Sequence, residues 1–461
     1  MLNYDDKIEK YISEHREEIV NTLLDLVKIP SVADTKGAVQ ALEMVTELFE
    51  GAGARVENRG GYALATMGDK EHKIGLFSHA DVVPGGNGWT VCEPFEPTVK
   101  DGYIFGRGAW DDKSAIVISL YAFKIIKELS IDINSALVAF VGGNEETTMQ
   151  DIKDYKKTNT PPTVSMVLDA AFPVYLGDKG MLWLECEMEN GFEDLIELTG
   201  GEAINITLKC ATAKLRYSKE LYEELSCLNN ISVCASDEVI KVTAEGISAH
   251  GAAPKGTING GAIILDALFE CPSFSQRDKE RLAFLRDILK AYDGTPLKIE
   301  ARDSLFGDTT ATNGIIDITK ERAAFTLDIR YGDTYTEKTL LKAVDKALLP
   351  NGISYKIVKN GEPKAISPHN KYVVACLDAY RKHTNDTEAC ARINAGGTYS
   401  RFLENAFECG TTLKYSALSL PSGHGGAHQP DEHISVDGLL GAIHMIVKMI
   451  IACDEQGFKQ R

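Results

Sequence analysis

No apolar run in this 461-residue chain reaches the roughly 18 residues a membrane-crossing helix needs. The longest, Leu439 to Cys453, is interrupted by His444 and Lys448, so no membrane partner is expected. Positive charge is also in deficit, with 49 Lys+Arg against 67 Asp+Glu and a formal charge of −18. No local Lys/Arg block reverses that balance, which argues against nucleic acid as a partner. The 10 cysteines include no C-x-x-C pair. The opening MLNYDDKIEKYISEHREE has charge where an export signal has its apolar core. Reduced thiols and a cytoplasmic location are therefore expected. Low-complexity tracts and evident internal repeats are missing as well.

The remaining composition, 44% hydrophobic and 25% charged, is that of a globular protein with two or three domains. Apolar residues at helical spacing cover 5–28, 38–50 and 114–129, and short apolar runs at 73–77, 136–141 and 164–168 read as buried strands. Strands alternating with helices predict an α/β fold, a mixed, mostly parallel sheet sandwiched by helices. From about residue 181 the pattern changes. Alternating segments at 182–188, 203–210, 239–244 and 323–330 read as antiparallel strands, separated by helices at 218–228, 260–269, 279–292 and 336–349. The expected organisation is one discontinuous domain, 1–180 plus 385–461, interrupted by an α+β segment at 181–384 long enough to be a doubled unit.

Three polar clusters directly follow the three predicted parallel strands: Ser78-His79-Ala80-Asp81, Gly143-Asn144-Glu145-Glu146 and Asp169-Ala170. Ligands of open α/β sheets bind beyond the carboxyl ends of the strands, so the coincidence points to a site. His79 and Asp81 share one face of an extended strand end, and Asp81 could orient the imidazole. Asp111-Asp112 precede a helix and could equally serve as caps. Glu145-Glu146 point to opposite sides, which allows one ligand and one general base. With His428 in a Gly-rich loop, the set holds two imidazoles and three carboxylates. Such donors suit zinc, or manganese or cobalt, better than calcium or magnesium. Five ligands exceed one four-coordinate zinc unless a carboxylate bridges two ions. His424 and His433 lie near enough in sequence to compete with His428.

In order, Ser-His-Ala-Asp-Val-Val-Pro (78–84), Gly-Arg-Gly-Ala-Trp-Asp-Asp-Lys (106–113), Glu-Glu-Thr (145–147), Asp-Ala-Ala-Phe-Pro-Val (169–174), Ser-Ala-His-Gly (248–251) and Ala-His-Gln-Pro-Asp-Glu (427–432) resemble the dinuclear zinc peptidase family. That family includes aminoacylase, the acetylornithine and succinyl-diaminopimelate deacylases, carboxypeptidase G and carnosinase. Length, Phe172-Pro173, Gly180 and Gly-Gly-Thr-Tyr-Ser-Arg (396–401) look closest to its PepV-type bacterial dipeptidases. The resemblance spans essentially the whole chain.

It implies two Zn2+ per chain, with Mn2+ or Co2+ as substitutes. His79 and Asp169 would hold one ion, Glu146 and His428 the other, and Asp111 would bridge them, with a cis Asp111–Asp112 peptide. Asp81 would orient His79, and Glu145 would be the general base toward a water shared by the ions. His250 would stabilise the oxyanion with Asn205 as a second donor, while Arg330, helped by Arg401, would grip a substrate carboxylate. The inserted segment would be a lid, and its length implies a working monomer. Trp110, Ser114, Ala171 and the Thr147–Gln150 stretch around Met149 depart from the family pattern, so dipeptide preference stays open. The expected activity is hydrolysis of unblocked dipeptides. An N-acyl amino-acid deacylase with the same ions is the alternative, and a non-catalytic peptide-binding protein the alternative from another class.

Overall fold

In the computed structural model, which describes residues 4–201, 203–236, 238–413, 418, 420–421 and 423–458, the early apolar runs form the centre of one sheet. Its strand order is Arg55–Asn58, Tyr62–Met67, Ala136–Gly142, Lys73–His79, Val164–Ala170, Ala406–Gly410, Tyr175–Asp178, Lys364–Ala365. The four strands from Ala136–Gly142 to Ala406–Gly410 run parallel. Antiparallel pairs flank them. Ile74 lies opposite both Leu137 and Val164, so the three predicted strands are immediate neighbours. All seven residues of Ala136–Gly142 are buried, as expected for a strand covered on both faces.

This unit comprises Met1–Gly177, Ala365–Asn394 and Thr398–Arg461. Its second chain crossing therefore lies near residue 365, not 385. Helix Lys371–Thr384 packs its Val373, Cys376 and Leu377 face inside this unit, against helix Val436–Phe458. The predicted helix at 5–28 is two helices, Tyr4–Glu14 and Arg16–Val27, that meet at His15. Val436–Phe458 is, among the described residues, the one helix long and apolar enough to cross a membrane by length and composition. Most of it is buried against Lys113–Glu128 and Lys371–Thr384, and its Lys448 reaches Asp5 at 2.9 Å.

The other unit, Asp178–Lys364 with Ala395–Gly397, is built on a nine-stranded sheet. Two four-stranded halves meet where Leu195–Gly200 pairs antiparallel with Ile316–Ile318, and Thr310–Thr312 adds to the edge of Ala323–Tyr331. Cys210–Arg216 alternates buried and open positions, so one face is covered and the other is wet. A single apolar core lies between the sheet and helices Lys219–Ser226, Gly260–Glu270, Gln276–Lys290 and Glu337–Leu348. Each starts at a side-chain cap: Ser218, Asn259, Ser275 and Thr336 accept from backbone N–H groups of the first turn.

The strand expected at 203–210 does not form. Its backbone groups are used elsewhere: Asn205 O accepts from Gly251 N–H, Leu208 N–H donates to Asn313 O, and Ile206 makes only an isolated bridge to His250. The strand begins at Cys210 instead.

Candidate metal centre

The carboxyl ends of three adjacent parallel strands carry the three polar clusters. His79 closes its strand beside Gly142, and Asp169 stands one residue before the end of Val164–Ala170. A donor atom each from His79, Asp111 and Asp169 lie within 4.8 Å of one another, and the same holds for Asp111, Glu146 and His428. Asp111 belongs to both groups. Its Oδ1 is 3.2 Å from His79 Nε2, and its Oδ2 is 3.2 Å from His428 Nε2. His428 Nε2 also lies 3.0 Å from Glu146 Oε1. The Asp111–Asp112 peptide is cis, and His428 adopts the left-handed region with φ 63°. Neither His424 nor His433 enters these groups; His424 Nδ1 sits 2.7 Å from Asp431 Oδ2, and His433 Nδ1 donates to Asp431 O.

The donor set fits cations better than it fits itself. His79 Nδ1 donates to the Asp81 carbonyl at 2.9 Å, which in the neutral ring leaves the Nε2 lone pair facing the Asp111 carboxylate. Buried His79 Nε2, Asp111 Oδ1 and Glu145 Oε1 have no hydrogen-bond partner, a costly condition that a positive ion between the donors would relieve. The titration shifts tell the same story. Burial opposes charge on His79, yet Asp111 and Asp81 push its pKa well above the usual value, and Asp111 and Glu146 bring His428 to about 11 against the same opposition. Burial works to raise Asp111, but the two imidazoles hold it well below the carboxylate range. Burial, then the neighbouring Asp169, pushes the Glu145 carboxyl up, and burial with Asp111 does the same for Glu146. A cluster this rich in carboxylates around two imidazoles could hold metal ions.

Asp81 meets His79 through two groups. The Asp81 main-chain carbonyl is the closer partner of His79, with the carboxylate 3.5 Å away. The carboxylate accepts from Glu145 N–H on Oδ1 and Glu146 N–H on Oδ2, at 3.0 and 3.1 Å. It therefore fixes the backbone of both glutamates.

Two further buried carboxylates had no individual role in the sequence reading. Glu432 Oε1 accepts from the N–H groups of Gly108, Trp110 and Asp111, each at 3.0 Å, while its Oε2 receives Arg107 Nη1 at 2.5 Å. Asp431 accepts from Thr90 and Val91 N–H and from Thr90 Oγ1. Their only sequence signal was an acidic pair three residues after His428.

Residues 75–452 match the model of peptidase family M20/M25/M40. The chain belongs to that family. It is thus a metallopeptidase, an enzyme of a family that uses metal ions. A Staphylococcus haemolyticus protein named "putative dipeptidase" is 26% identical over 97% of this chain and 99% of its own length. Among solved structures, human carnosine dipeptidase 1 has a TM-score of 0.60 at 14% identity, covering 98% of this chain and 99% of that one. The di-peptidase Dug1p of Saccharomyces cerevisiae reaches 0.61 at 12%, covering 99% of each. At these identities the two structures speak to the fold, a catalytic domain with a lid domain.

Of the other M20 candidates, His250, Asn205 and Arg330 lie in the second unit and Arg401 in the first. Ala252 N–H donates to His250 Nδ1 at 3.2 Å, and the Asn205 amide nitrogen Nδ2 lies 3.2 Å from His250 Nε2. Arg330 is almost fully buried, with three N–H groups engaged: Nε and Nη2 donate to Asp328 and Nη1 to Ala395 O. Arg401 sits on the short helix Tyr399–Phe402, which Thr398 caps. Buried Glu408 secures the start of that helix by accepting from Thr398 Oγ1 and Ser400 Oγ.

Proposed function

We propose that this enzyme is a dipeptidase that hydrolyses unblocked dipeptides with two divalent cations, zinc or its substitutes manganese and cobalt. The observation that carries the reading is Asp111, each of whose carboxylate oxygens faces a different imidazole. His79 and Asp169 would hold one ion, Glu146 and His428 the other, with Asp111 shared. When bound, the ions supply Lewis acidity, polarising a carbonyl and acidifying water. Glu145, buried and with Oε1 unpartnered, takes a proton from the attacking water and passes it to the nitrogen of the breaking C–N bond. Asp81 keeps it in place through its backbone N–H. His250, with Asn205 as a second donor beside it, is assigned to the oxyanion, and Arg330 with Arg401 to the substrate carboxylate, where a planar fork matches two oxygens. The names of the relatives point the same way. A cytoplasmic, monomeric working form belongs to the same proposal.

The deciding experiment measures metal content and turnover of Glu145→Ala on a dipeptide panel. Full metal occupancy with turnover abolished is expected; unimpaired hydrolysis would remove the mechanism. Running free and N-acetylated dipeptides side by side tests the substrate class, and preference for the acetylated series would make the enzyme a deacylase.

A further inference from the structure

Within the second unit, the residues assigned to substrate converge on one fully buried carboxylate, Asp328. Its Oδ1 accepts from Arg330 Nε at 2.7 Å and from Trp183 Nε1 at 2.8 Å, and its Oδ2 accepts from Arg330 Nη2 at 3.0 Å. The sheet register makes this unavoidable: Trp183 and Thr312 are the cross-strand partners of Asp328 on either side, and Arg330 follows two residues later on the same face. The His250–Gly251 turn rests on the same carboxylate. A Cβ on Gly251 would stand 2.7 Å from Asp328 Oδ2 and 2.7 Å from Thr312 Oγ1, closer than any side chain tolerates. The turn is held there by Gly251 N–H donating to Asn205 O at 2.8 Å and by Thr310 Oγ1 donating to Gly251 O at 3.0 Å.

We propose that Asp328 is a positioning residue for substrate recognition, holding the Arg330 guanidinium and the His250–Gly251 turn in one fixed relation. The proposal rests on the reading of Arg330 as the carboxylate grip. A guanidinium has five N–H donors. Two are committed to Asp328 and one to Ala395, which leaves one on each Nη for a ligand. The side-on bond to Asp328 removes the rotation of a long side chain before substrate arrives, so little ordering is left for the binding step. It also balances the buried positive charge, and the two remaining N–H donors match the two acceptor oxygens of a carboxylate, whereas an amide would turn an NH2 toward one of them.

The test compares a dipeptide with its C-terminal amide, as substrates or competing ligands, for the metal-loaded wild type, Asp328→Asn, Arg330→Ala and the double variant. Asp328→Asn should raise KM for the free acid about tenfold or more, the equivalent of one charge-assisted hydrogen bond. It should change the affinity for the amide much less, with metal content retained. In the Arg330→Ala background the same substitution should have no further effect on acid-over-amide preference, which a general loosening of the fold would not reproduce. An unchanged KM in Asp328→Asn, beside a raised one in Arg330→Ala, overturns the positioning role and leaves the grip intact. Equal treatment of acid and amide by wild type and Arg330→Ala removes the grip, and the proposal with it. Should Asp328→Asn fail to fold, Trp183→Phe carries the test. It deletes one donor to Oδ1, so a smaller shift in the same direction is expected, and no shift overturns the proposal.

Discussion

Replacing Glu432 by Ala tests whether the metal centre is built from its buried supports. The carboxylate is fully buried and receives three backbone N–H groups and the Arg107 guanidinium, itself almost entirely buried. Burial pushes its pKa up, while Arg107 and the amides pull the other way. A hydrogen bond to a charged group contributes about 1.5–3 kcal/mol, and leaving one member of a buried ion pair alone costs about 3–5 kcal/mol. These terms share one side chain and do not add. Water entering the space would also recover part of the loss, so the net destabilisation should be about 3–5 kcal/mol. Because the third amide belongs to Asp111, divalent-metal affinity should fall about 10–100-fold, the usual effect of losing an outer support. Urea unfolding and chelator competition measure the two effects. Glu432→Gln keeps an oxygen for the three amides but turns an NH2 toward Arg107, so it should lose stability with a smaller change in metal affinity. A Glu432→Ala protein within about 1 kcal/mol of wild type, with metal affinity unaltered, would refute the reasoning.

Gly251→Ala should impair substrate binding and lower kcat/KM for dipeptides while sparing metal content, because the new methyl must displace Asp328 or Thr312; steady-state kinetics with metal analysis checks it. Stability of the metal-loaded enzyme should fall as pH drops through about 6.5, since burial depresses the pKa of His72 and of His444, only partly offset by Asp454 and Asp5 respectively. Below the unfolded value of about 6.5 the unfolded chain binds protons that the folded one refuses, and the loss levels off below the folded values. It amounts to about 1.4 kcal/mol for each tenfold difference in proton affinity between the folded and unfolded chain. Urea midpoints from pH 8 to 5 should show a shallower slope in His72→Gln and His444→Gln than in wild type.

The parallel strands and the polar side chains clustered at their ends were legible because each leaves a local mark. Buried strands are continuous apolar runs, and His79, Glu145-Glu146 and Asp169 interrupt such runs with charge. Helices of the second unit that were expected at 218–228, 260–269, 279–292 and 336–349 form there, and Ser218, Asn259, Ser275 and Thr336 cap them. What stayed hidden depends on distant partners. Segment 203–210 alternates like a strand, but its donors and acceptors are spoken for by the Gly251 turn and Asn313, and no local pattern encodes that. Helix Lys371–Thr384 gives no sign of which unit it joins, since its apolar stripe would suit either. The jobs of Glu432 and Asp328 were equally invisible. A carboxylate that clamps buried N–H donors looks, in sequence, like any surface acid.

That device recurs, and it gives the acidic surplus an internal use. Asp278 accepts from Glu193, Asp194 and Leu195 N–H, Asp303 from Leu305 and Phe306, and Asp81 from the two glutamates of the metal centre. An ionised carboxylate suits this because both its oxygens accept, whereas an amide offers one acceptor and one donor. Asp81→Asn therefore poses a sharp question. Its side chain can serve Glu145 N–H or Glu146 N–H but must point an NH2 at the other. If the oxygen stays on Glu146, Glu145, the proposed base, is dislodged, and kcat falls with metal retained. If it stays on Glu145, Glu146, the proposed ligand, is dislodged, and metal affinity falls first, with activity recovering at high metal concentration. Activity and metal titrations on one preparation distinguish the two. A variant normal in both would mean that Asp81 is not what fixes the glutamate pair, and that strand pairing beneath it suffices.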